Sequence, residues 1–213
     1  MNIEENLSTV SSSLPEEVVL VAVSKKKPNS DIMKAYDAGH RVFGENRVQE
    51  LIEKYEELPK DIQWHVIGQL QRNKVKYIAP FVSLIHSVDT VKLLNMIEAQ
   101  GEKCDRVIDC LLQIHIAEED TKSGFTPAEV KELLSGGTLN SLPHVNIIGL
   151  MGMASYTEDQ NQISEEFQSL KSIFDQYPDL GVLSMGMSGD YSLAIEEGSN
   201  MVRVGSLIFG ERN

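Results

Sequence analysis

Strand-like and helix-like segments alternate along the whole chain. Short apolar runs are typical of strands that are buried on both faces, whereas apolar residues three or four positions apart indicate helices that pack one face against a core. The pattern predicts a helix over residues 2–13 and then eight strands. The predicted strands are residues 18–25, 41–46, 62–68, 83–88, 107–116, 145–153, 180–187 and 201–209.

Helix-like segments follow each predicted strand except the last. Asn29 or Ser30 can cap a helix that ends before Gly39. Thr126-Pro127-Ala128-Glu129 combines an N-cap threonine, a proline at the first helical position and a glutamate that can bond back to the cap. The other predicted helices cover residues 47–58, 72–81, 89–100, 160–176 and 190–197.

Regular alternation of strands and helices implies a parallel sheet with right-handed crossovers, and eight such units favour a closed barrel. No linker rich in Gly, Ser or Pro divides the 213 residues. The sequence therefore predicts the α/β class, with a single (β/α)8 TIM barrel domain over residues 1–213 and an additional N-terminal helix.

Composition narrows the choice of partners and compartment. The chain has 19 Lys and Arg against 32 Asp and Glu, a formal net charge of −13, which disfavours nucleic acids and anionic membranes. The acidic N-terminal segment does not resemble a signal peptide, and no apolar run is long enough to span a membrane. The two cysteines fit a reduced pair, and the histidines lack metal-site spacing. We expect a cytoplasmic protein without a metal.

Candidate chemistry collects where the predicted strands end. Lys25 ends the first strand, and an amine at the mouth of a barrel can form a Schiff base with an aldehyde. On spacing alone, a solvated strand end is the favoured interpretation of this lysine. Small residues follow strands seven and eight, where barrels commonly bind phosphate, although the glycines could simply form tight turns. These small residues are Gly186, Ser188, Gly205 and Ser206.

Two further kinds of polar residue lie within the strands. Arg203 shares a strand face with Gly205 and could donate to a ring nitrogen or carboxylate at the mouth, or form a buried ion pair with a carboxylate such as Glu45. His65 and His86 lie in apolar strands, and we expect them to be hydrogen-bonded core residues.

Eight sequence stretches, in order and over nearly the whole chain, carry a resemblance to a known family. They are VAVSKKKP (21–28), FGENRVQE (43–50), WHVIGQLQRNK (64–74), HSVD (86–89), TKSGFTPAE (121–129), GLMGMA (149–154), LSMGMSGDY (183–191) and AIEEGSNMVRVGSLIFGER (194–212). Together they resemble the pyridoxal phosphate homeostasis protein family, whose fold is that of the alanine racemase N-terminal domain.

The resemblance implies that pyridoxal 5′-phosphate is held as a Schiff base on Lys25. Arg203 would face the pyridine ring, and Asn46 would lie near it. The phosphate would be bound by Ser184, Met185, Ser188, Gly205 and Ser206. The resemblance also implies a non-catalytic carrier that acts in vitamin B6 and amino-acid homeostasis, with pyridoxal phosphate-dependent apo-enzymes as possible recipients. We expect a monomer rather than a dimer.

Two enzymatic alternatives remain open on the sequence. A single-domain amino-acid racemase would use Lys25 as one base and a residue such as His65 as the other. An aldolase-type barrel would use Lys25 for a Schiff base with a sugar phosphate and would need no cofactor.

Overall fold

The computed structural model describes residues 2–117 and 123–211, and the strands in this part form one closed barrel. All eight strands are parallel, each pairs with the next in sequence, and β1 pairs with β8. The strands are β1 Val19–Val23, β2 Val42–Glu45, β3 Gln63–Val66, β4 Leu84–Val88, β5 Ile108–Gln113, β6 Val145–Met151, β7 Val182–Met187 and β8 Met201–Val204. The predicted (β/α)8 barrel is therefore confirmed.

Helices surround the barrel. They are α1 Ile3–Ser12, α2 Asn29–Asp37, α3 Val48–Glu57, α4 Val75–Ile78, α5 Val91–Cys104, α6 Pro127–Ser135, α7 Gln160–Phe174, α8 Tyr191–Glu196 and α9 Ser206–Phe209. The capping box predicted for α6 is present, because Thr126 Oγ1 accepts from Glu129 N (3.3 Å) and Glu129 Oε2 accepts from Thr126 N (2.8 Å). In the described ranges no helix combines the length and apolar character needed to cross a membrane.

The predicted end of the last strand is wrong. The sequence suggested a strand over residues 201–209, but β8 ends at Val204, and helix α9 begins at Ser206. Ile208 and Phe209 are buried, and Ile208 O accepts from Asn6 Nδ2 (3.1 Å), which ties α9 to α1. A short apolar run does not distinguish a strand from a buried helix by periodicity alone. The last strand is thus also followed by a helix.

Strand alternation divides the core into two parts. Residues two positions apart share a face of a strand, so Leu20 and Ala22 point to the helices while Val21 points into the barrel. Leu20 and Ala22 belong to the large core between sheet and helices. Val21 packs in a second cluster, inside the barrel, with Leu84, Leu111, Met151 and Met201. This apolar plug closes the interior below the carboxyl ends of the strands.

Candidate functional site

A cavity of about 220 Å³ opens at the carboxyl ends of β1, β2, β7 and β8. Its walls are formed by Val23, Lys25, Asn46, Ile67, Met153, Met187, Ser188, Gly189, Arg203, Gly205 and Ser206. Six of the eight predicted site residues therefore share one cavity. A larger groove beside it, lined by residues such as Gln71, Asp89 and Met96, contains none of the eight.

Ser184 and Met185 do not line this cavity. Strand alternation turns Met185 outward, into the core between the sheet and the helices. Ser184 points inward but lies deeper in the barrel, where it is fully buried. Its hydroxyl accepts a hydrogen bond from Arg203 Nη1 (2.5 Å), so its contacts are with the arginine below the mouth.

Arg203 forms the floor of the cavity and is only 4% exposed. Its Nη1 donates to Ser184 O (3.0 Å) and Ser184 Oγ (2.5 Å), and its Nη2 donates to Gly152 O (3.0 Å). Burial lowers the pKa of Arg203 to about 10, which leaves the guanidinium charged at neutral pH. The alternative ion pair with Glu45 is wrong, because Glu45 pairs with Lys54 at 2.7 Å.

Two buried histidines continue the network from Arg203 across the barrel. His86 Nδ1 lies 3.1 Å from Ser184 Oγ, and His86 Nε2 lies 3.0 Å from His65 Nδ1. Ser184 Oγ therefore links the guanidinium to the His86 ring, and His86 uses both ring nitrogens, one towards Ser184 and the other towards His65. Burial lowers the pKa of His65 to about 3 and that of His86 well below its ordinary value, so both rings are neutral.

The histidines are hydrogen-bonded core residues, as predicted, but their connection to Arg203 was missed. The available signal was alternation: His65, His86, Ser184 and Arg203 all occupy inward positions of their strands. Sequence spacing does not show which inward residues meet across a closed barrel.

Hydrogen bonds and close packing hold the loops after β7 and β8 beside the cavity. Gly205 N donates to Ser188 Oγ (3.1 Å), which joins the two loops. A Cβ on Gly205 would lie 3.1 Å from Val23 O, a tight contact that glycine avoids. The first N–H groups of α9, at Ser206, have no acceptor within the helix. Backbone donors and serine hydroxyls are thus concentrated on this side.

Asn46 supplies an unsatisfied polar atom on the opposite wall. Its buried Oδ1 has no hydrogen-bond partner within residues 2–117 and 123–211. Gly68 packs directly against it, and a Cβ there would lie 2.6 Å from Asn46 O. A buried amide without a partner is costly, so this atom fits a polar ligand in the cavity. A ligand with an aldehyde, a polar ring and a phosphate would match the amine, the amide and guanidinium, and the loop donors.

Comparisons with known proteins agree with this geometry. The family model described as "Alanine racemase, N-terminal domain" matches residues 1–213. A pyridoxal phosphate homeostasis protein of Aquifex aeolicus is 43% identical over 199 residues, which cover 91% of this chain and 86% of the relative. Its Escherichia coli counterpart is 39% identical over 210 residues, with 93% and 88% covered.

Solved structures extend the comparison. The structure of PipY from Synechococcus elongatus with pyridoxal phosphate bound has a TM-score of 0.89 and 37% identity, and covers 98% of this chain and 100% of PipY. An alanine racemase of Clostridium difficile has a TM-score of 0.80 at 14% identity, and covers 99% of this chain and 57% of the racemase. The racemase likeness concerns the fold alone.

Proposed function

Since this chain belongs to the alanine racemase N-terminal domain family, and within it to the pyridoxal phosphate homeostasis proteins, we propose that it binds pyridoxal 5′-phosphate as a Schiff base on Lys25 and contributes to the intracellular balance of this cofactor without catalytic turnover. The observation that carries the proposal is the single cavity that joins Lys25, Asn46 and Arg203 with the loops after β7 and β8.

Each wall of the cavity suits one part of the cofactor. Lys25 supplies the amine that condenses with the aldehyde and releases water. The phosphate fits Ser188, Gly205 and Ser206, where hydroxyls and backbone N–H groups accompany small residues. Ser184 and Met185, which the family resemblance also assigned to the phosphate, lie outside the cavity. We propose an indirect role for Ser184, through its bond to Arg203.

The charge and position of Arg203 favour a carrier role over catalysis. When bound, pyridoxal phosphate supplies an electron sink, whose strength depends on the protonation of the ring nitrogen. A charged arginine donates a hydrogen bond to that nitrogen without giving up its proton, so the nitrogen stays unprotonated. The remaining guanidinium N–H groups, beyond the three that contact Ser184 and Gly152, can serve this bond.

The racemase alternative requires a second base. The described cavity walls include Lys25 and Arg203 but no histidine, tyrosine or carboxylate. His65, the earlier candidate, is 5% exposed and bonded to His86, and burial lowers its pKa to about 3, which makes it a poor proton acceptor. A carrier role therefore fits the cavity better than racemisation.

The decisive experiment combines a visible spectrum with mapping of the modified lysine. Purified protein mixed with pyridoxal phosphate should show a Schiff-base absorption band, and borohydride reduction should fix the label on Lys25. Lys25→Ala should abolish both, whereas Lys26→Ala should retain both because the Lys26 side chain is exposed. A label that remains elsewhere at wild-type yield in Lys25→Ala would overturn the assignment.

Turnover is tested separately. Wild-type protein loaded with cofactor and incubated with L-amino acids should show no sustained loss of chirality. Sustained racemisation that disappears in Lys25→Ala would overturn the carrier role while leaving the binding site intact. A borohydride-trapped adduct on Lys25 that forms with sugar phosphate aldehydes but not with pyridoxal phosphate would favour the aldolase alternative.

A further inference from the structure

A buried lysine lies directly behind the turn that carries Lys25. Lys54, on α3, is 4% exposed, and its Nζ donates to Ser24 O (2.9 Å), Glu45 Oε1 (2.7 Å) and Glu50 Oε1 (2.6 Å). The ammonium therefore has an acceptor for each of its hydrogens. Ser24 and Glu45 point outward from the ends of β1 and β2, so this cluster lies between the barrel and α3 and is separate from the cavity.

The same cluster holds the peptide groups on both sides of Lys25. On the preceding side, Lys54 binds the carbonyl of Ser24, and Ser24 Oγ donates to Glu45 Oε1 (2.6 Å). On the following side, Glu50 Oε1 accepts from the backbone N–H of Lys26 (2.5 Å). Lys54 thus contacts one anchor directly and holds the other through Glu50.

The turn needs such support. Lys26 has a φ of 62°, a left-handed conformation that a residue with a Cβ rarely adopts. Lys27 N donates to Ser24 O (3.0 Å), which closes the turn around Lys25. Conformations of this kind persist only where the surroundings enforce them, and they occur preferentially at functional sites. The hydrogen bonds of Lys54 and Glu50 are that enforcement here.

We propose that Lys54 is a positioning residue for the cofactor site: its buried bonds to Ser24 and Glu50 fix the turn after β1, so that the Lys25 amine is directed into the cavity. The proposal rests on the proposed function, since it concerns how readily Lys25 condenses with the aldehyde. Lys54 does not line the cavity and touches no part of a ligand there.

Lys54→Met tests the proposal, because methionine keeps an unbranched chain and removes the three donors. Formation of the Schiff base should slow on the order of tenfold to a hundredfold, as expected when a reacting group is displaced by a fraction of an ångström to an ångström. Affinity for pyridoxine 5′-phosphate, which has the ring and phosphate but no aldehyde, should stay within about twofold of the wild-type affinity, because Lys54 lies outside the cavity.

Two comparisons separate positioning from general destabilisation. Leu51→Ala removes a fully buried side chain from the same helix and should lower stability without slowing condensation at a temperature where the variant is folded. Glu50→Ala leaves the Lys54–Glu45 pair in place but removes the acceptor of Lys26 N–H and one of the three acceptors of the Lys54 ammonium. It should slow condensation as well, and it replaces Lys54→Met if the latter does not fold.

Hydrogen exchange in the cofactor-free protein provides an independent measurement. Lys54→Met should speed exchange of the Lys26 amide while leaving the Ala22 amide, within β1, unchanged. The proposal would be overturned if Lys54→Met and Glu50→Ala both condensed with pyridoxal phosphate at the wild-type rate. An equal loss of affinity for pyridoxal phosphate and for pyridoxine 5′-phosphate would also overturn it. If Lys25 of the wild-type protein is never labelled by pyridoxal phosphate and borohydride, the proposed function is wrong. Hydrogen exchange of the Lys26 amide would still decide whether Lys54 orders the turn.

Discussion

The clearest energetic test of the buried network is Ser184→Ala. The hydroxyl is fully buried, accepts from Arg203 at 2.5 Å and faces His86 Nδ1 at 3.1 Å. Its removal leaves a charged donor and a ring nitrogen without this partner. Water compensates poorly for the loss, because Arg203 is only 4% exposed and His86 is fully buried. The substitution adds no atoms, so steric strain does not contribute.

The expected cost follows from these two groups. A hydrogen bond to a charged group contributes about 1.5–3 kcal/mol, and an unsatisfied buried polar group costs about 1–3 kcal/mol. Arg203 keeps its bonds to Ser184 O and Gly152 O, so the loss is partial. We expect the free energy of unfolding to fall by about 2–4 kcal/mol, and Tm to fall by roughly 4–16 °C for a chain of this size.

Urea denaturation and calorimetry measure this change, and Ser87→Ala is the matched control. Ser87 is 1% exposed, but its hydroxyl donates to the neutral carbonyl of Gly68 (2.6 Å), so the cost should be only about 0.5–1.5 kcal/mol. An equal or smaller cost for Ser184→Ala would refute the view that the network stabilises a buried charge.

Two other predictions concern pH and packing. Because burial lowers the pKa of His65 to about 3, below the value near 6.5 of an unfolded histidine, the unfolded state binds more protons in this window. The free energy of unfolding should therefore fall as pH drops from about 6.5 towards 3, by up to about 1.4 kcal/mol per pH unit. His65→Gln should reduce this slope when urea denaturation is measured at a series of pH values, and an unchanged slope would contradict the assignment to His65. Gly68→Ala should displace Asn46, lower the free energy of unfolding by about 1–3 kcal/mol and weaken binding of the cofactor. Gly181→Ala, which has open space at its Cβ, should change neither stability nor cofactor affinity.

The fold was predictable because each strand of the barrel is a short apolar run between helical segments. Buried parallel strands require such runs, so local sequence carries the architecture. The error at Ser206–Phe209 has the same origin, since a buried helix of one turn presents the same apolar run as a strand. What decides between them is packing against α1, which no local pattern contains.

The cavity was partly predictable for a related reason. Carboxyl ends of parallel strands meet at one face of a barrel, so Lys25, Asn46 and Arg203 could be grouped from their positions alone. Depth within the barrel was not predictable, and Ser184 therefore appeared to belong to the mouth. The contact between Ser184 and His86 joins residues on β7 and β4, and only the stagger of the closed barrel brings them together.

Pairing of β1 with β8 has a consequence for how the cofactor couples to folding. Val21 is in register with Arg203, so the strand that leads to Lys25 and the strand that carries Arg203 become neighbours only when the barrel closes. A ligand held by both residues binds the closed barrel and not the open chain, so it stabilises the folded state by an amount that grows with the logarithm of its concentration relative to Kd. Bound pyridoxal phosphate would thus hold β1 and β8 together, so the supply of cofactor would raise the stability of the native barrel.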